Sequence, residues 1–463
     1  MKAHLTLLAA SLLLAACSNP APRPDSGLQA PVAWNEAADS RVRDNRQWWM
    51  SFTSPQLNRL IEQARTGSYD LASATARVRQ AQASAVIAGA PLLPELKGGL
   101  NASRQKLLHG KGYSQLSADS DDRAVDYFDA SLTATYEIDF WGGKRAARDS
   151  ALQEVRASEF DQATVELTLL SGVATLYTQV LALGEQLHIA ELNLANAQDV
   201  LALVQTRYDS GSATALELAQ QKSLVATQQR QLPLVRQQAQ EARVSLAVLL
   251  GQPVQTLTLD PQPFNQLTWP DIAAGVPSEL LSRRPDIASA EARLAAAQAN
   301  VTVARAAMLP SVTLTANLGS GADRAADILR SPFYNLTGGL IAPIFNNGRL
   351  SAERDKASAR QEELLQTYRG AIINGFADVE KALSNIRGLD EQRQWQDEEL
   401  RQAQTAFQIA QSRYQAGAED LLTVLETQRT LYAAQDLNVQ LRQSRLTASI
   451  ALYKALGGGW QVR

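Results

Sequence analysis

The sequence predicts an α+β membrane protein made of two copies of one unit, each a strand pair joined to a very long helical hairpin. Three observations carry that prediction. The chain repeats itself, its candidate strands alternate cleanly, and its helices hold heptad spacing far beyond ordinary length. In the first copy Leu93-Pro94, two strands, a Gly-rich break and a long helix lead to Arg207-Tyr208-x-x-Gly211 and a return helix ending near Gly251. In the second, Leu309-Pro310, two strands, Asn346-Asn347-Gly348 and a long helix lead to Arg413-Tyr414-x-x-Gly417 and a return helix ending near Gly457. The matching marks lie about 206 residues apart, a period far too long for a solenoid.

From Asp126 to Phe140 the alternation is nearly unbroken. Phe128, Ala130, Leu132, Ala134, Tyr136, Ile138 and Phe140 share one face; Tyr127, Asp129, Ser131, Thr133, Thr135, Glu137 and Asp139 share the other. Leu96, Leu100 and Ala102 alternate with Lys97, Asn101 and Ser103, and Val312, Leu314, Ala316 and Leu318 with Ser311, Thr313, Thr315 and Asn317. Leu336, Leu340, Ala342 and Ile344 complete the set less cleanly. Such strands of about ten residues are the mark of outer-membrane barrels, with Tyr136, Phe140 and Trp141 suited to an interfacial belt. A half-buried soluble sheet alternates in the same way, so the strands alone leave both readings open.

Counting then requires a partner. Four strands leave two open edges, which hydrocarbon does not tolerate. Closed barrels begin at about eight strands, so two copies would give a filled barrel and three about twelve strands with a lumen. The polar faces favour the wet lumen, so a homo-oligomer is predicted, with three chains preferred over two.

After Gly142-Gly143 a helical pattern runs to Tyr208, about 60 residues or 90–100 Å. Phe160, Ala163, Leu167, Leu170, Ala174, Tyr177, Leu181 and Gly184 keep steps of three and four, as do Val225, Gln228, Leu232, Val235, Ala239, Ala242, Leu246 and Leu249 on the return. Pro233 should kink or interrupt that return helix. The second hairpin runs from Arg349 to Tyr414 and from Asp420 to Leu456. Shorter helices at Pro55–Arg65, Leu71–Ala88 and Pro285–Met308 act as struts, and the proline-rich Leu250–Arg284 stretch as a small mixed equatorial domain.

The N-terminus reads as a targeting segment. Lys2, the apolar run Leu5–Leu14 and Leu14-Ala15-Ala16-Cys17 fit a cleaved signal, being too short to span a bilayer. Leu-x-Ala-Cys resembles the bacterial lipobox, and Cys17 is the single cysteine, so lipidation there would anchor the mature end in outer-membrane lipid. Pro20, Pro22, Pro24 and Pro31 make an extended tether. A net charge of −3 gives no reason to expect nucleic acid. One cysteine and three scattered histidines offer neither a disulfide nor a Cys-based metal site, and no cofactor is expected. The chain has no phosphate-binding loop, nucleophile elbow or His-x-x-x-His pair, so no enzyme is expected. Asp119, Asp121 and Asp122 read as an exposed loop between strands rather than a metal site.

Several strings now resemble the outer-membrane factors of bacterial tripartite pumps, in the OprM/NodT branch of the TolC-like family. They are Trp48-Trp49-x-x-Phe52, Leu57-x-x-Leu60-Ile61, Leu281-x-x-Arg284-Pro285-Asp286-Ile287, Ala306-x-x-Leu309-Pro310 and the tail Leu452-Tyr453-Lys454-Ala455-Leu456-Gly457-Gly458-Gly459-Trp460. The resemblance implies a trimeric 12-stranded β-barrel, four strands per chain, continued by a long periplasmic α-helical coiled-coil barrel. It also implies a periplasmic adaptor and an inner-membrane RND transporter as partners, with the chain a passive gated duct for drugs or other toxic small molecules. A duct for secreted proteins belongs to the same fold, and a pore-less periplasmic scaffold or adhesin is the remaining alternative.

The expected boundaries are a signal peptide at 1–16, a tether at 17–54, periplasmic helices at 55–90, strand pairs at 91–141 and 309–345, and hairpins at 142–251 and 346–456. The equatorial segment is 252–284, a periplasmic helix 285–308 and the equatorial tail 457–463. By resemblance, Leu422 and Glu426 match positions that form stacked rings at the closed tip, one turn apart on one helix face. Three carboxylates from Glu426 would form a cation-attracting ring that favours opening when charged, and Arg429 could pair with Glu426 or with a neighbouring helix. Tyr414 matches a gate-linking tyrosine of TolC, but Glu419 stands where TolC has arginine and Thr423 where it has an acid, so that latch does not carry over whole. Arg207, Tyr208, Gly211, Arg413 and Gly417 mark the turns where an adaptor would dock, the glycines also serving as plain helix ends.

Cys17→Ser should abolish acyl labelling of the chain in cells fed a labelled fatty acid; continued incorporation would refute the anchor.

Overall fold

The computed structural model describes residues 24–35, 47–105, 125–260, 262–270 and 272–460. Cys17, Asp119, Asp121 and Asp122 lie outside the described residues. In chain order the elements are α1 (Pro55–Gly67), α2 (Tyr69–Gly89), β1 (Glu95–Gln105), β2 (Val125–Ile138), α3 (Gly143–Asp209), α4 (Ala215–Leu249), α5 (Pro277–Arg283), α6 (Pro285–Ala306), β3 (Ser311–Ala322), β4 (Pro332–Ile341), α7 (Arg349–Gln415) and α8 (Leu421–Ala455). The duplication is exact in its long helices: α3 and α7 have 67 residues each, α4 and α8 have 35. Each of the former is therefore about 100 Å long. Two units divide the chain, one of Met1–Leu28, Gln80–Ala157 and Ala290–Arg369, the other of Gln29–Arg79, Ser158–Ser289 and Gly370–Arg463.

The first unit holds one antiparallel sheet in the order β1-β2-β3-β4. Its register matches like with like. Gly98, Leu132, Leu318 and Tyr334 lie in one row across the strands, and Leu96, Ala134, Ala316 and Leu336 in another. Lys97, Thr133, Asn317 and Asn335 form a row on the opposite face. A one-residue slip would mix the faces, so register and pattern enforce one another. In the single chain Leu96, Leu100, Leu318, Leu336 and Leu340 stay exposed, an apolar face that water would not leave bare. Phe128 marks its loop end and Tyr136 and Phe140 its helix end. At about 3.3 Å per residue and about 40° of tilt, that band is about 20–30 Å tall, which brackets the roughly 25 Å band of outer-membrane strands.

β2 and β4 end sooner than the alternation suggests, leaving Phe140, Ala342 and Ile344 beyond the strands. After β2 the Asp139 carboxylate accepts from the backbone N–H of Lys144 (2.9 Å) and Arg145 (3.0 Å), and Gly142 turns the chain at φ +73°. Helix capping there outcompetes further sheet pairing. Trp141 Nε1 donates to Pro310 O at 2.7 Å, tying the exit of the first strand pair to the entry of the second.

The second unit is built on aromatic and aliphatic burial. Trp48–Phe52 forms a 3₁₀ turn whose Trp48, Trp49 and Phe52 are buried. Trp48 stacks on Tyr453 at 5.3 Å and meets Trp49 edge-on at 5.8 Å. Leu57, Leu60, Ile61 and Ala64 present the core face of α1, and Ser54 caps that helix by accepting from Leu57 N at 3.2 Å. Residues 169–183 of α3 pack into the same core. This helix contains a stretch apolar enough to cross a membrane, and its packing against Trp49, Phe52 and Leu246 explains that apolarity without one. Trp269 of the equatorial segment lies between Arg393 (4.0 Å) and Arg442 (4.8 Å).

The Arg-Pro-Asp string becomes a knot. Arg284 donates to both carboxylate oxygens of Asp286 (3.0 and 2.7 Å), to Asp378 of α7 (2.9 Å) and to Ala455 O of α8 (3.2 Å). Burial opposes the charge on Asp286, but the Arg284 guanidinium outweighs it and holds the carboxyl below its ordinary range.

Of the two outcomes expected at Pro233, a kink or an interruption, the interruption does not occur: α4 continues through it from Ala215 to Leu249. Val235, Ala242 and Leu246 beyond it are buried, and that packing offsets the roughly 3 kcal/mol cost of an internal proline.

The repeat also begins earlier than the strands. Gly251, at φ +70°, lies against Gly67 at the end of α1; Gly457, at φ +87°, lies against Arg283 at the end of α5. A Cβ would fall 2.9 Å from the Gly67 carbonyl carbon in one case and 2.8 Å from that of Arg283 in the other, closer still to the oxygens. α1 and α5 thus act as matching struts of the duplicated unit, each closed by its own glycine, and α5 is a helix within the stretch expected to be irregular. Gly251→Ala or Gly457→Ala should cost at least about 1–3 kcal/mol, from left-handed strain and backbone overlap together. Denaturant unfolding in detergent checks this; an unshifted midpoint would mean the contact is slack.

Candidate functional site

The hairpin turns of the second unit gather most of the predicted site residues. Both turns close alike. Gly211 and Gly417 adopt φ +76° and +77°, and Ser212 N and Ala418 N reach back to the carbonyls of Arg207 (2.7 Å) and Arg413 (2.9 Å). These bonds satisfy carbonyls that the helix end leaves free. Each return helix then starts on a side-chain cap. Thr214 and Glu217 form a reciprocal capping box on α4. Asp420 accepts from Thr423 N and Oγ1, both at 2.9 Å, on α8. Those bonds hold the exposed Asp420 carboxyl below its ordinary range.

Beyond the backbone the two turns differ. Arg207 lies over the Tyr414 ring at 4.2 Å and donates to Tyr414 O (2.5 Å) and Gln415 O (3.4 Å). Arg413 curls back on its own turn, to Glu419 (3.3 Å) and Ala418 O (3.4 Å). Tyr414 is 2% exposed and Tyr208 41%. The tie is therefore one-way, from the first copy's arginine to the second copy's tyrosine. Burial pushes the Tyr414 hydroxyl above its ordinary pKa, with Arg207 opposing. Val204, Leu218, Phe407, Leu421, Val424 and Leu425 close an apolar cluster around the pair.

Leu422 (54% exposed) and Glu426 lie exposed one turn apart, outside that cluster. Arg429 is exposed too, and among the described residues no ion pair joins it to Glu426. At the matching positions of the first copy stand Leu216, 66% exposed, and the half-buried Gln220. Glu419, where the resemblance expected a basic latch residue, serves instead as the partner of Arg413.

With fold and turns described, comparison decides the family. The family model for outer membrane efflux proteins matches residues 60–252 and 276–458, the two copies seen in the fold. The chain belongs to the outer membrane efflux protein family. It is 64% identical over 461 residues to the pyoverdine export outer membrane protein OpmQ of Pseudomonas aeruginosa, covering 99% of this chain and 97% of that one. It is 32% identical over 476 residues to the toluene efflux pump outer membrane protein TtgF of Pseudomonas putida, covering 99% and 98%. The solved open state of the MtrE outer membrane channel of Neisseria gonorrhoeae superposes with a TM-score of 0.84 at 26% identity, covering 95% and 98%. The protein is thus an outer-membrane efflux channel, with the α+β fold of that family.

This efflux protein also carries a buried polar layer that sequence reasoning missed. Tyr432 donates to Asn193 O (2.9 Å) and accepts from Gln428 Nε2 (3.0 Å), while Gln221 Nε2 donates to Ala197 O (2.8 Å). Two carbonyls one turn apart on α3 are thus gripped from α8 and α4. Burial pushes the Tyr432 hydroxyl up to about 12. The signal was glutamine at inward positions of the helical seams, easily read as solvated helix surface.

Arg207→Ala should raise amide exchange at Gly417 and Ala418 by about tenfold, the loss of a buried cation–π tie of about 1–2 kcal/mol. Arg413→Ala should do less. Equal effects would show that the turns are not tied one-way.

Proposed function

We propose that this chain is the exit duct of a tripartite export system, working as a homotrimer with a periplasmic adaptor and an inner-membrane RND-type transporter. The observation that carries the oligomer is the four-stranded sheet, apolar on one face and open at both edges. Three copies give twelve strands, enough to close a wet lumen with the Ser, Thr and Asn face inward. Cys17 anchors each mature N-terminus in outer-membrane lipid.

Leu422 and Glu426 of the second copy form the periplasmic gate, with Tyr414 and Arg429 beside it. The exposed leucine and carboxylate lie one turn apart, and among the described residues no ion pair engages Glu426; both support that reading. The turn residues Arg207, Tyr208, Gly211, Arg413 and Gly417 form the surface an adaptor grips.

For cargo, identity of 64% to a pyoverdine export protein outweighs 32% to a toluene efflux protein. Pyoverdine, or a closely related compound, is therefore the substrate proposed, ahead of drugs or other toxic small molecules. Deleting the gene should leave pyoverdine in the periplasm and lower it in the medium, with restoration by the intact gene; unchanged secretion alongside new sensitivity to toxic solutes would favour the second cargo. In planar bilayers Glu426→Ala should lower cation preference or change conductance, and unaltered traces would remove it from the gate.

A further inference from the structure

Two aromatic rings interrupt the polar face of the sheet, and each rests on a glycine. That face otherwise carries Lys97, Asn101, Asp129, Ser131, Thr133, Thr313, Thr315, Asn317, Asn335 and Thr337. Phe333 of β4 is paired with Gly319 of β3, and a Cβ on Gly319 would lie 2.7 Å from its Cζ. Tyr127 of β2 lies over Gly321, where a Cβ would sit 2.6 Å from the ring's Cζ. Both glycines have ordinary strand geometry, since neither is among the residues of positive φ. Their missing side chains are thus required by the rings and not by the backbone. All four residues lie at the loop end of the sheet, where β1 runs into β2 and β3 into β4.

We propose that Gly319 and Gly321 set the aperture of the outer half of the duct. They seat Phe333 and Tyr127 flat on the wall, so that bulky polar solutes pass. The proposal rests on the reading above that the polar face lines the lumen. Twelve strands about 4.8 Å apart and tilted about 40° put the backbone about 12 Å from the axis. A ring lying on the wall takes one van der Waals layer, about 3.5 Å, whereas a ring displaced by a neighbouring Cβ stands about 6 Å into the bore. With two rings per chain repeated around the threefold axis, that difference decides between an open mouth and a collar of aromatic rings. A small ion would pass either way; a large solute would not.

The test uses full-length, membrane-inserted protein with a reporter thiol at Asn317→Cys, on the same face two residues from Gly319. A small methanethiosulfonate and a maleimide carrying a polymer of a few kilodaltons are added from outside. With the native glycines both should react. Adding Gly319→Val and Gly321→Val should slow the bulky reagent at least fivefold and leave the small one within twofold, and adding Phe333→Ala and Tyr127→Ala should restore it. An unchanged bulky rate in the double valine variant overturns the proposal. If that variant does not insert, Phe333→Ala with Tyr127→Ala alone still decides. Rings already flat on the wall predict less than a twofold gain in the bulky rate, and a larger gain shows that they stand in the bore. Failure of both reagents at Asn317→Cys would instead overturn the lumenal reading of the polar face.

Discussion

A sheet that enters hydrocarbon has to close. Every unpaired N–H and C=O on an edge strand costs several kcal/mol where no water can replace the lost bond, and β1 and β4 each leave one such edge in the single chain. The apolar face carrying Leu96, Leu100, Leu132, Leu318, Leu336 and Leu340 suits lipid. The edges therefore need copies of themselves. That requirement calls for further copies, and the polar face then favours three around a lumen over two around a filled core.

The duplication meets the requirement economically. Two strand pairs and two hairpins come from one chain, and their long helices match to the residue, 67 and 35 in each copy. Gly251 and Gly457 close the two units in the same manner, each against the strut helix of its own copy. Once closed, the copies are free to diverge at their turns. Arg207 crosses to Tyr414, while Arg413 stays with Glu419. The same five-residue string thus does two different jobs.

Much of this was legible because two periods dominate the sequence. Alternation at Phe128–Ile138 and heptads at Phe160–Leu181 name their elements with little ambiguity, and the helix ends at Gly211 and Gly417 follow from backbone chemistry. The sequence shows α1 as a helix but hides α5, whose 7 residues lie inside the proline-rich equatorial stretch, so the two do not read as one repeated element. Their equivalence shows only where Gly67 meets Gly251 and Arg283 meets Gly457. Pro233 does not end its helix because packing beyond it offsets the local cost. The Arg207–Tyr414 tie was hidden by the repeat itself, since identical strings suggest identical roles. Gly319 and Gly321 give no signal in the sequence pattern, and only the rings above them supply a reason for them.

The central claim, closure by three chains through β1 and β4, is tested most directly by cross-linking those edges. Asn101→Cys combined with Asn335→Cys, and neighbouring pairs along the same strands to sample register, should yield oxidised products of one, two and three chains and no larger species. A ladder that stops at two, one that continues past three, or no cross-link at any register in inserted protein would contradict it.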